Sequence, residues 1–200
     1  EAMDKSFPYA VQVRRSEFDE LLFRHATKQG ARTFEGQRVK HVDMDAGKTG
    51  DGRSIVKVAG EDGVETTWRP RFVVDASGQS GILMNKLGLR LWDPLLDKGA
   101  IWTYWQGAYR DSGKDEGATM VLQTGDRKGW FWYIPLHDDR VSVGVVKPFD
   151  TLFKSKRPHE EVYLEEVENC GAVKRRIAPG KRITGYFATQ DYSYRSTTVA

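Results

Sequence analysis

Apolar and polar positions fall into two textures along the chain, a short mixed one first and a strongly β-rich one after it. Over Pro8–Val13, Tyr9, Val11 and Val13 alternate onto one side, which predicts a short strand. From Ser16 the apolar residues Phe18, Leu21, Leu22 and Ala26 recur at helical spacing. Ser16 suits the N-cap, Glu17 and Asp19 suit the positive first turn, and Gly30 closes the helix. The segments Gln37–Met44, Ser54–Val58 and Glu65–Val74, separated by Gly/Asp clusters, predict a small antiparallel meander. Its last part, Phe72-Val73-Val74, is continuously apolar, as expected of a strand covered on both faces, and ends in Asp75-Ala76-Ser77-Gly78.

Beyond Leu87-Gly88 the strands become longer and more aromatic: Ala100–Tyr109, Ala118–Thr124, Gly129–Leu136 and Arg140–Val146, the last two joined by a tight turn at Asp138-Asp139. A helix over Glu160–Asn169, a basic loop and a final strand over Ile183–Tyr194 complete the pattern. Asp93-Pro94 interrupts it, so the expected division is residues 1–95 and 96–200, in an α+β or α/β fold whose second part is mostly an antiparallel sheet with one helix. Within KGWFWYIPL, Trp130, Trp132 and Ile134 alternate with Phe131 and Tyr133. That spacing suits a strand buried on both faces as well as a strand that walls a site.

The 200 residues suffice for one substantial core or two modest ones, and a net charge of +3 from scattered Lys and Arg is too weak to indicate nucleic acid. No apolar run is long enough for a membrane span and no signal segment opens the chain. The single cysteine, Cys170, excludes an internal disulfide framework and suits a reducing compartment, which points to the cytoplasm. The four histidines lie far apart without the spacing of a metal site, and no G-x-S-x-G elbow occurs. Lys174-Arg175-Arg176 and Lys181-Arg182 flank a Pro-Gly turn and read as a solvated loop.

Two places carry chemistry. Arg14-Arg15-Ser16 delivers an arginine to a helix start, where free backbone N–H groups and a guanidinium can hold an anion or simply cap one another. Asp75-Ala76-Ser77-Gly78 puts small residues where a ligand can approach the backbone. Trp102, Tyr104 and Trp105 can line an apolar pocket or be ordinary sheet residues.

Taken in order, VRRSEFDELL, VVDASGQSG and WFWYIPL resemble the middle of a flavin-dependent halogenase, a family within the FAD proteins that include aromatic hydroxylases and geranylgeranyl reductases. The family signature W-x-W-x-I-P is matched by Trp130, Trp132, Ile134 and Pro135, while R-x-x-F-D and D-x-S-G mark the wider FAD group. The resemblance implies part of a glutathione-reductase-type FAD-binding domain followed by a substrate domain. It implies FAD as cofactor, with Arg15 near the diphosphate or ribityl region and Val39, Asp75, Ala76 and Gly78 near the adenosine. Trp130 and Trp132 would wall the flavin from a substrate whose pocket includes Trp102, Tyr104, Ile134 and Pro135. The implied chemistry is halide oxidation through a flavin hydroperoxide, with a small-molecule or carrier-tethered substrate and a separate flavin reductase as partners. Neither G-x-G-x-x-G, the family's lysine, nor G-D-A is present in these 200 residues. A central fragment that binds FAD poorly and does not turn over alone is therefore expected. A reductase or monooxygenase of the same FAD group and a non-catalytic flavoprotein module stay open beside the halogenase.

Overall fold

The computed structural model describes Ser6 and residues 11–44, 51–190 and 193–198. It divides into two units: Glu1–Asp19 with Asp93–Ser193, and Glu20–Trp92 with Tyr194–Ala200. Relative to the expected division near residue 95, the first nineteen and the last seven residues change sides. Every strand pair among the described residues is antiparallel, so the class is α+β.

In the smaller unit, β1 (Arg38–Asp43), β2 (Ile55–Ala59) and β3 (Glu65–Trp68) form the expected meander. β3 stops early because Pro70 has no N–H to continue a ladder. The expected doubly covered strand does not form: Phe72 and Val74 are 87% and 88% exposed, since no described strand pairs with them. A short helix α2 (Ile82–Lys86), not predicted, follows, and β4 (Arg90–Trp92) pairs with the terminal β11 (Tyr194–Ser196).

The other unit is built on a sheet of β5 (Lys98–Gln106), β6 (Met120–Gln123), β7 (Trp130–Pro135), β8 (Arg140–Pro148), β9 (Lys181–Arg182) and β10 (Phe187–Gln190). Its main path runs β10, β5, β8, β7, β6, with β9 also on β5. Asp138 and Asp139 both have positive φ, 57° and 53°, the geometry of a two-residue turn whose twist matches the strands it joins. One face is sealed by α3 (Phe149–Phe153), α4 (His159–Glu168) and α5 (Gly171–Ile177). Ile101, Phe131, Tyr133, Val141, Val143 and Val145 bury there against Leu152, Val162, Tyr163, Val167, Val173 and Ile177. Fully burying Phe131 alone contributes about 1.5–3 kcal/mol.

Four expectations are corrected around this sheet. The first basic cluster is no loop: Val173 and Ile177 recur one helical turn apart and fix α5 on the core. The expected final strand Ile183–Tyr194 is not continuous: β9 precedes it, β10 forms within it and β11 begins at its last residue, with residues 191 and 192 outside the described ones. Of the strand at Pro8–Val13, residues 8–10 lie outside the described ones; residues 11–13 form none, and the Gln12 side chain instead holds the Gly117 carbonyl and Thr119 hydroxyl. The helix that follows, α1 (Arg15–Lys28), opens one residue early. Arg14 O accepts from the amides of Glu17 and Phe18, so Ser16 sits inside the first turn instead of capping it.

Lys147, 3% exposed on the sealed face, is held at 2.7 Å by both Asp126 and Glu166. It ties the β6–β7 loop to α4. The Lys147 ammonium, helped by the Lys128 amide and the Thr124 hydroxyl, lowers the Asp126 carboxyl to about 2.

Candidate functional site

The opposite face of the large sheet is left uncovered by α3, α4 and α5. Strand register places Phe187, Trp102, Gly144 and Trp132 side by side in one row across β10, β5, β8 and β7. The Trp102 ring stacks on Phe187 at 5.5 Å and meets Trp132 at 6.1 Å. Gly144 makes this row possible, since a Cβ there would run into the Trp132 indole. Trp132 Nε1 donates to Ser142 Oγ at 3.1 Å, which fixes the ring plane.

One row along, Tyr104, Ser142 and Ile134 form the floor of a cavity of about 450 Å³. Leu136, Arg140, Ile183 and Thr184 continue its wall, and the segment from Gln12 to Ser16 borders it. The cavity lies wholly within one unit.

The predicted site residues distribute as follows. Tyr104 and Ile134 line the cavity, while Trp102 and Trp132 stand in the neighbouring aromatic row. Trp130 belongs to the next row and borders a shallower hollow with Val121, Gln123 and Lys128. Pro135 is buried at the end of β7 opposite Val141. Arg15 borders the cavity, but its guanidinium grips Asp19 one turn on, at 3.0 and 3.1 Å. Val39, Asp75, Ala76 and Gly78 all belong to the smaller unit. The Asp75 carboxylate accepts from the amides of Ser77 (3.0 Å) and Leu83 (2.7 Å), and bonding to Ser77 first, then Leu83, lowers its pKa. Ser77 Oγ accepts from Ile82. These bonds fix a turn in which Gly78, at φ +60°, leaves open space where a Cβ would stand. The backbone at Ala76 and Gly78, both exposed, is therefore open to close approach.

Arg140, Ser142, Gly144 and Thr184 escaped the sequence reading. The signal for two of them was present: in Val141-Ser142-Val143-Gly144-Val145 the small residues alternate with valine, marking a face that leaves room for neighbours. Among the described residues no cluster of His, Cys, Asp and Glu could hold a metal, and no helix is long and apolar enough to cross a membrane.

A family model for tryptophan halogenase matches residues 1–175. The tryptophan 2-halogenase of Chondromyces crocatus is 33% identical over 97% of this chain and 37% of its own length. The flavin-dependent halogenase ptaM of Pestalotiopsis fici is 31% identical over 96% of this chain and 39% of its own. Among solved structures, the myxobacterial chondrochloren halogenase CndH, a variant of FAD-dependent halogenases, matches with a TM-score of 0.87 at 30% identity, covering 98% of this chain and 44% of that one. The flavin-dependent halogenase CmlS matches at 0.85 and 29% identity, covering 95% and 34%. The chain thus spans less than half the length of these relatives.

Proposed function

Because the chain belongs to the tryptophan halogenase family, we propose that it is the central part of an FAD-dependent halogenase acting on a small apolar or aromatic molecule. The observation that carries this reading is the row of Phe187, Trp102, Gly144 and Trp132 beside a cavity floored by Tyr104, Ser142 and Ile134.

FAD, when bound and reduced, supplies the oxygen-derived oxidising power that turns halide into an electrophile. Asp75, Ala76, Gly78 and Val39 would hold the adenosine end, and the fixed, open turn at Gly78 fits that task. Arg15 would serve the diphosphate or ribityl part, after exchanging Asp19 for the ligand.

This chain's own residues do the separating. Trp132, locked by Ser142, and Trp130 on the same face form stiff indole surface that excludes water and keeps the organic substrate from direct contact with the oxidant. Tyr104 and Ile134 position the substrate, and buried Pro135 ends the strand that carries both indoles. A halide and a separate flavin reductase complete the set of partners.

The test uses the whole protein, supplied with FAD, chemically reduced flavin, oxygen and bromide, with catalase to remove free peroxide. Bromide-dependent mass gain on an activated carbon acid supports the reading. Flavin binding with only peroxide, a hydroxylated or a reduced product overturns it.

A further inference from the structure

Arginines Arg14, Arg15 and Arg140 border the cavity, and two of them are neutralised locally. Arg14 pairs with Glu17, and Arg15 pairs with Asp19. Arg140 differs: its guanidinium has no hydrogen bond or ion pair with any described group, and its Nε is shut away from solvent without an acceptor. The nearby carboxylates are already engaged. Glu17 also receives His137 at 2.8 Å, Asp138 holds the other His137 nitrogen at 2.9 Å, and Asp139 faces Arg110 at 3.5 Å.

A guanidinium N–H shut away from solvent is costly unless something accepts from it. It stands in a wall that is otherwise apolar or weakly polar: Tyr104, Ile134, Leu136, Ser142 and Ile183. The start of α1, at Arg15 and Ser16, adds partial positive charge at the rim. We propose that Arg140 is a specificity residue that binds the carboxylate of an aromatic or apolar monocarboxylic acid in this cavity. One free guanidinium matches one negative charge, and its planar fork matches a carboxylate through two parallel N–H donors. A phosphate monoester brings nearly two charges to a wall with only one cation left over. The assignment deepens the halogenase reading by naming its substrate class, and it rests on that reading only for the ligand's role as substrate.

Binding tests it without turnover, so failure of the halogenase chemistry and failure of this assignment are told apart. Calorimetric titration compares indole-3-carboxylate with indole-3-carboxamide, which has nearly the same shape and no charge, and then with phenyl phosphate and bromide. The acid is expected to bind at least about tenfold tighter than the amide. R140Q is expected to erase that preference and R140K to keep part of it, with near-UV circular dichroism and the urea midpoint matching the parent. Equal binding of acid and amide, binding of neither, or a preference that survives R140Q overturns the assignment. So does tighter binding of phenyl phosphate, or competition by bromide at the concentration where the acid half-saturates. Should R140Q fail to fold, the acid-to-amide ratio of the unaltered protein still decides.

Discussion

The two faces of the large sheet are made by the same strands, residue by alternating residue, yet they have opposite fates. Phe131, Tyr133, Val143 and Val145 point under three helices and lose all but a trace of their accessible surface. Trp130, Trp132, Ile134 and Trp102 point the other way and stay at least partly open, with Trp130 39% exposed. Local pattern is symmetric between these sets, since both are large, apolar and spaced by two. What breaks the symmetry lies downstream: α3, α4 and α5, drawn from residues 149–177, all pack on one side. Aromatic density in a strand therefore identifies a well-packed sheet, and the helices that follow decide which aromatics become core and which become a binding wall.

Substitutions can press on this contrast, and the largest effect belongs to the sealed face. Phe131→Ala leaves a hole beneath Tyr163 and should cost about 3–5 kcal/mol, read as a lower urea midpoint at unchanged slope. Lys147→Ala strands Asp126 and Glu166 without their shared cation, with an expected loss of about 3 kcal/mol by the same titration. If both changes cost less than Trp130→Ala, the assignment of core and wall is reversed.

On the open face, Gly144→Ala pushes a methyl into the Trp132 indole and should cost about 1–3 kcal/mol. Its diagnostic sign is altered near-UV dichroism of the tryptophans, because the Ser142 bond that orients the ring must give way. Trp130→Ala, by contrast, should change stability by less than about 1 kcal/mol, and in the whole protein it should raise hydroxylated or uncoupled product relative to halogenated product.

The smallest effect is a pH window. Asp126 titrates at about 2 in the folded chain against an ordinary 3.8, so the unfolded chain takes up the proton first as acid is added. Its contribution is fully present above about pH 4 and fades as pH falls toward 2. Asp126→Asn should flatten the acid limb of the urea midpoint between those values. An unchanged limb would mean that Lys147 is satisfied by Glu166 alone.

How much of this could be read from the chain varies with how local the cause is. The four long strands and the Asp138-Asp139 turn were legible because alternation and turn chemistry are encoded within a few residues. α5 was not, because its run of three basic residues masks a two-residue apolar stripe, Val173 and Ile177, that only the core makes meaningful. Phe72 and Val74 look like a buried strand because burial was inferred from composition, whereas coverage depends on partners elsewhere. For the site, period two places Trp130, Trp132 and Ile134 on one face of their strand from the sequence alone, whereas Tyr104 comes beside Ile134 only through the pairing of both with Ser142 of β8. Arg140 was invisible: a free guanidinium is defined by the pairing of every carboxylate around it, a property of three dimensions.

The two-residue turn at Asp138-Asp139 also constrains how this sequence can change over time. Because the side-chain period of a strand is two, adding or removing one residue there would rotate β8 by half a turn. Ser142 and Gly144 would move beneath the helices, and Val143 would strike the indole of Trp132. Length variation at this point is thus quantised: descendants of this chain can lengthen the hairpin in even steps, while odd steps require a compensating bulge or the loss of the cavity.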